Sequence, residues 1–186
     1  MESKETYGLI VIDKREGNVG TLKGSVITEI RGMTSNVPGK VTAGGQSQQR
    51  YARLREGAAK DFYKKVAAVA NKEYLAMGKN LKGILLGGPG HTKNEFVDGG
   101  YLNTQVREKV LNMVDLSYTG EFGLRELVDK SEDVLSQERI VEEKKILQNF
   151  FETLAKRPEI VTYGKIQVLE AVKTGMARSV IIVDSK

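Results

Sequence analysis

The sequence predicts an α/β fold, a mixed sheet flanked by helices, on three observations. Near the N-terminus, short strand-like runs are separated by tight turns. Beyond residue 47 the apolar period becomes helical over a long stretch. Continuous apolar runs around 81–86 and 110–116 then alternate with helical segments, the pattern of strands buried in a sheet.

Taken in order, Tyr7-Gly8-Leu9-Ile10-Val11-Ile12-Asp13 reads as a buried strand. A turn at Glu16-Gly17-Asn18 is expected to lead into a strand over 19–22. Lys23-Gly24 marks another turn before a strand over 25–30, which completes an antiparallel meander. Residues 33–47 hold Pro38, Gly39, Gly44 and Gly45, so neither a helix nor a central strand suits them. An ordinary linker is the plain alternative for this loop. A helix follows, with Ser47 as N-cap and Gly78 as stop, about 28 to 30 residues and ~45 Å long. Its apolar stripe is Tyr51, Leu54, Ala58, Phe62, Val66, Val69 and Tyr74, with Arg50, Arg53, Lys60 and Lys64 off it.

The strand beginning at Leu81 ends in Gly87-Gly88-Pro89-Gly90, and Thr92 is expected to cap a short helix over 93–97. P-loop spacing is missing there, so a tight strand-to-helix turn is favoured over a phosphate cradle. A short helix over 105–111, a strand over 110–116 and a helix ending near Val128 come next. A second long helix spans about 131–155, with Val134, Ile140, Val141, Leu147, Phe150, Phe151 and Leu154 expected inward. Glu142-Glu143-Lys144-Lys145 forms its solvated face. In the tail, Ile166, Leu169 and Val172 suggest a helix stopped by Gly175, then a strand over 180–183. One helix and one strand cannot close a core, so the chain is expected to stop early in a second α/β domain. The divisions are 1–136 and 137–186. The meander followed by alternating helix and strand fits a ribonuclease H-like central domain.

Composition narrows the chemistry. The 186 residues include no cysteine, no tryptophan and a single histidine, His91. Thiolate metal sites and disulfides are excluded, and no His-rich metal site can form. No apolar run reaches membrane-spanning length, the first residues do not read as a signal-peptide h-region, and a cytoplasmic location is expected. The net charge of +5 permits nucleic-acid contact without requiring it.

Three catalytic constellations compete. A metal-dependent nuclease would need Asp13 and Asp115 at strand ends, with Glu29 a distant third, yet Lys14 and Arg15 directly follow Asp13. A hydrolytic triad would need His91 as base, but no Gly-x-Ser-x-Gly elbow exists, and a surface histidine is favoured. The third is Gly44-Gly45-Gln46. Adjacent glycines let backbone approach another macromolecule closely, while Gln46 has no acid or base to offer. It can supply a backbone N–H to an oxyanion and an amide that positions water, which suits hydrolysis of an activated ester. Arg31, Lys40, Arg50, Arg53 and Arg55 flank the loop and would hold it against phosphate.

These motifs together resemble a known family. Thr34-Ser35, Val37-Pro38-Gly39-Lys40, Gly44-Gly45-Gln46-Ser47, Arg50 and Arg53-Leu54-Arg55 are similar to the central domain of archaeal and eukaryotic class 1 peptide chain release factors, subunit 1. The similarity takes in Tyr7-Gly8, Gly87-Gly88-Pro89-Gly90 with Thr92-Lys93 and Phe96, and the run from Tyr118 to Leu127. It extends through Val141-Glu142-Glu143-Lys144-Lys145 to Tyr163-Gly164, where it resembles the opening of that family's C-terminal domain. Archaeal origin is expected. The resemblance implies a domain that enters the ribosomal peptidyl transferase centre and triggers hydrolysis of the peptidyl-tRNA ester by water.

Gly44, Gly45 and Gln46 are then the catalytic tripeptide, with the Gln46 amide N–H as transition-state donor and its side chain a methylation target. Arg31, Lys40, Ser47, Arg50, Arg53 and Arg55 are the implied RNA-binding residues. No cofactor or metal is implied. The implied partners are large-subunit rRNA, peptidyl-tRNA and, through the full-length protein, a translational GTPase, with no membrane. Activity is expected only together with the ribosome. Pelota-like relatives, non-catalytic ribosome or RNA-binding modules of the same fold, lack the tripeptide and form the alternative reading. Val41-Thr42-Ala43 stands where members usually carry basic residues, and Gln48-Gln49 where residues are often small or basic. Those departures bear on the strength of RNA docking rather than its direction. The stop-codon-reading N-terminal domain is absent from this sequence, so the chain by itself is not expected to decode.

Overall fold

Every second residue of the first apolar run faces a different core. The computed structural model describes residues 5–36 and 46–182, with the backbone alone for Gln46 and Ser47. Strand β1 (Thr6–Ile12) sends Ile10 and Ile12 to one face of the sheet and Leu9 and Val11 to the other. All four are fully buried. Burial on both faces is why the run is continuously apolar rather than alternating. Strands β2 (Glu16–Lys23), β3 (Val26–Thr34), β4 (Leu81–Gly88) and β5 (Val110–Asp115) complete a five-stranded sheet of order β3-β2-β1-β4-β5. The β1–β2 and β2–β3 pairs are antiparallel, while β1–β4 and β4–β5 are parallel. This is the expected meander-plus-parallel mixed sheet.

Helices cover both faces. On one side α1 (Gln46–Met77), α2 (Thr92–Asp98) and α3 (Thr104–Arg107) bury Phe62, Tyr63, Val66, Ala70, Tyr74, Phe96 and Val106 against the strands. On the other, α4 (Gly120–Asp129) and the first turn of α5 (Glu132–Lys156) contribute Leu124, Leu127 and Leu135. The Tyr74 hydroxyl shares its proton between the carbonyls of Leu9 (2.8 Å) and Gly20 (2.9 Å), bolting α1 to β1 and β2. Burial pushes the Tyr74 phenol well above its ordinary pKa, so it stays a donor. Gly8 is glycine because a Cβ there would stand 2.8 Å from the Tyr74 ring.

The chain divides into two compact units, Met1–Leu135 and Ser136–Lys186. Within the second, α6 (Lys165–Lys173) follows a turn of 3-10 helix (Pro158–Ile160).

Several expectations fail for definable reasons. The first turn lies at Asp13–Arg15, closed by Asp13 N–H donating to Glu16 O (2.8 Å), so Glu16, Gly17 and Asn18 belong to β2. Gly17 is there because Val66 and Phe62 press on it: a Cβ would sit 2.7 Å from Val66. Strand β3 runs on through Thr34, and α3 is a single turn rather than a helix over 105–111. Ser47 is not an N-cap, since α1 already includes Gln46. Thr92 is the first residue of α2 and is buried, with His91 before it. On α1 the inward stripe begins only at Ala58 and Ala59, while Tyr51 and Leu54 are exposed.

Along α5 full burial is confined to Leu135; of the residues expected inward, Val134, Phe150 and Leu154 are half-buried, while Ile140, Val141, Leu147 and Phe151 are exposed. Phe151 meets Phe150 edge-on, with ring centroids 5.5 Å apart, and the heptad-like spacing is present without full burial. Residues 180–182 carry no strand pairing among the described residues. Residue 183 lies outside the described range.

Candidate functional site

The chain leaves the sheet at one fixed point and re-enters it as a helix. Just past β3, Ser35 is held on the Asp13–Arg15 turn: its N–H donates to Arg15 O (2.7 Å) and its hydroxyl to Lys14 O (2.6 Å). Gln46 then opens α1, a helix of 32 residues and roughly 48 Å. Gly44, Gly45 and Lys40 lie outside the described residues, as do the side chains of Gln46 and Ser47. The first N–H groups of a helix have no intrahelical acceptor, and they carry the positive end of its dipole. The Gln46 N–H belongs to that set.

Of the basic candidates, the structure brings Arg50 and Arg53 together. With Gln49 and Leu54 they line a cleft of about 470 Å³ on the first turns of α1. Arg55 lies on the same turns outside that lining and is half-buried. Arg31 is exposed on the outer strand β3, which is a separate element. Among the described residues none of these arginines has an ion-pair partner, whereas the next carboxylate on the helix, Glu56, is taken by Lys60 at 2.7 Å. The Lys60 ammonium holds the Glu56 carboxyl below its ordinary pKa.

Asp13 and Asp115 do not converge. Val11 pairs with Gly87 and Gly87 with Val114, so β4 lies between the strand that precedes Asp13 and the strand that ends at Asp115, two strand spacings or about 9.5 Å. Asp115 accepts instead from the Lys93 ammonium (2.5 Å), which lowers the Asp115 pKa. Among the described residues no group of three potential ligands gathers. Lys93 is buried and also donates to Gly90 O (2.6 Å) and, more weakly, to Gly88 O (3.4 Å). The glycine-rich turn therefore presents carbonyls to a cation, the reverse of a phosphate cradle. Gly88 lies against β1 so closely that a Cβ would stand 2.0 Å from Ile12 O. His91 is exposed at the head of α2 and adds to the positive field on Asp115.

Sequence reasoning missed this Lys93 lock. It also missed the hydrogen bond from the Tyr63 hydroxyl to Glu95 (3.2 Å), which ties α1 to α2. Neither pair has a spacing signal, since each joins residues brought together only by the sheet.

The family model described as eRF1 domain 2 matches residues 6–137. The chain belongs to the eRF1 family. A second model of that family, eRF1 domain 3, matches residues 140–186. Among curated relatives, the peptide chain release factor subunit 1 of Thermococcus onnurineus is 48% identical over 181 residues, covering 96% of this chain and 44% of the relative. That of Methanosphaera stadtmanae is 43% identical over 182 residues, covering 98% and 44%. The chain thus spans less than half the length of these eRF1-family relatives. A crystal structure of the archaeal translation termination factor aRF1 matches with TM-score 0.63 at 28% identity, over 94% of this chain and 48% of that one. The Archaeoglobus fulgidus Pelota structure matches at TM-score 0.50 and 21% identity, over 91% of this chain and 45% of that one, a likeness of fold alone.

Proposed function

We propose that this chain works in translation termination, triggering hydrolysis of the peptidyl-tRNA ester by water in the ribosomal peptidyl transferase centre. The observation that carries the reading is that Gln46 of Gly44-Gly45-Gln46 is the first residue of α1. Its N–H is thereby available to a developing oxyanion, in a dipole that favours negative charge. The glycines admit close backbone approach, and the Gln46 side chain positions water and is a methylation target. No side chain of the tripeptide acts as acid or base, so the ribosome completes the site, and the chain is not a free-standing enzyme.

Arg50 and Arg53 dock α1 on large-subunit rRNA, with Arg31, Lys40, Ser47 and Arg55 as secondary contacts. Residues 1–136 act as the hydrolysis-triggering domain, and 137–186 supply the connecting helix and the start of a C-terminal domain. A translational GTPase engages the intact protein. No described helix is long and apolar enough to cross a membrane, and a cytoplasmic place of action follows from the ribosomal role.

The test is a peptide-release assay on ribosomes charged with peptidyl-tRNA, using the intact protein that carries this sequence. Gly45→Ala is expected to lower the release rate roughly 100- to 1,000-fold, as much as loss of an oxyanion donor, because the added Cβ blocks the close backbone approach that brings the Gln46 N–H to the ester. Gln46→Ala is expected to be milder, since a backbone N–H survives. Wild-type release by Gly45→Ala would overturn the reading in favour of a non-catalytic ribosome-binding module.

A further inference from the structure

The first turns of α1 carry an aromatic and an aliphatic side chain that pack on nothing buried. Tyr51 is 43% and Leu54 53% exposed, although both continue the apolar period that is buried from Phe62 onward. At about 100° per residue they are neighbours at i, i+3. Arg50 and Arg53 flank them on one side and Arg55 on the other. The strip is therefore apolar along its middle and cationic along both margins. No carboxylate occurs between residues 46 and 55, and the first one beyond, Glu56, is occupied by Lys60. A surface of this kind repels a basic partner. It complements a polyanion that also has apolar faces.

We propose that Tyr51 and Leu54, between Arg50, Arg53 and Arg55, form a docking strip for an unstacked base of single-stranded RNA. Tyr51 stacks on the base, Leu54 supports its edge, and the arginines neutralise the phosphates on either side. The proposal rests on the reading above only in taking RNA as the partner of α1; it adds a residue that contacts a base rather than a phosphate. Stacking is sequence-tolerant, because every base has a π-face. A duplex keeps its bases inside and gives Tyr51 nothing to stack on. The open cleft lined by Gln49, Arg50, Arg53 and Leu54, about 470 Å³, lies beside Tyr51 on the same turns and leaves room for the sugar and phosphate next to the stacked base.

The experiment measures binding of a labelled 12-nucleotide single-stranded RNA, and of the same sequence as a duplex, across a potassium chloride series. Tyr51→Ala is expected to weaken single-strand binding roughly 5- to 150-fold, the range for losing one stacked base. It should leave both the salt slope and duplex binding unchanged. Tyr51→Phe is expected to bind as wild type. Arg53→Ala is expected to reduce the salt slope by about 0.7, one phosphate contact to a single strand. Tyr118→Ala, at an exposed tyrosine between β5 and α4, is the control and should change nothing. Tyr51 supports no buried neighbour, so its variants should melt with the wild type.

Wild-type single-strand affinity in Tyr51→Ala would overturn the proposal. So would equal losses on single strand and duplex, or competition by polyglutamate as effective as RNA, which would indicate an acidic protein partner. These measurements contain no ribosome, so their failure is separate from retained release by Gly45→Ala, which strikes the catalytic reading alone.

Discussion

Tyr74 carries the attachment of α1 to the sheet, and Gly8 is the position that tests it. In Gly8→Ala the new Cβ would stand 2.8 Å from Cζ and 3.0 Å from both Cε atoms of the Tyr74 ring. The ring is 1% exposed and its hydroxyl is held on Leu9 O and Gly20 O, so it cannot swing aside without stretching those bonds. Overpacking of this kind costs about 1–3 kcal/mol. Weakening a buried hydroxyl hydrogen bond adds about 1 kcal/mol. The lower entropy of alanine in the unfolded chain returns about 0.4–1 kcal/mol. The net expectation is a loss of roughly 2–3 kcal/mol.

Tyr74→Leu alone removes the ring and leaves a void, for a loss of about 3–4 kcal/mol. In the double variant the leucine ends short of the alanine Cβ, so the overpacking disappears. The two losses should therefore fall short of additivity by about 2 kcal/mol. Urea denaturation followed by far-UV circular dichroism, with all four proteins of the cycle, measures this directly. Additivity within about 0.5 kcal/mol, the behaviour of independent sites, would refute the claim that Gly8 exists to admit Tyr74.

Other outcomes follow from the same geometry. Lys93→Met keeps the buried stem but leaves Gly90 O without its charged donor. It should cost about 1.5–3 kcal/mol by the same denaturation assay. The Asp115 carboxyl is depressed by its hydrogen bond from Lys93, so that pairing contributes fully above the unfolded carboxylate pKa. It is lost as pH falls through the lower folded value. Asp115→Asn should accordingly flatten the acid limb of a stability-versus-pH profile below about pH 4 and leave the neutral plateau shape unchanged.

The individual elements were legible wherever local chemistry decides them. The apolar run 7–12, the alternation after Gly24, the glycines before α2 and the long helical period behind the tripeptide each announce their structure. The tripeptide and its arginines stand out in the sequence as a candidate site, because unusual residue types in one short stretch need no partner to be noticed. What was not legible depended on neighbours distant in sequence. Glu16-Gly17-Asn18 has turn composition, yet the residues form strand, because β3 pairs with them and α1 presses on Gly17. Tyr51, Leu54, Ile140 and Phe151 have core periodicity, yet lie exposed, because period says which side a residue takes and not whether anything stands there. Lys93, a residue expected at the surface, is buried because three oxygens from the β4 turn and β5 gather around its ammonium.

By itself, then, the sequence determined the α/β class, the meander and the residue types of Gly44-Gly45-Gln46, which include no acid or base. Those properties are local, set by residue type and spacing along a few turns of chain. Only the tertiary structure decided that Gln46 opens the helix, that Arg50 and Arg53 share a cleft while Arg31 stands apart, and that Asp115 answers to Lys93 rather than to Asp13. Each of those outcomes is a matter of which atoms the sheet order brings within a few ångströms, and sheet order is set by burial summed over the whole domain.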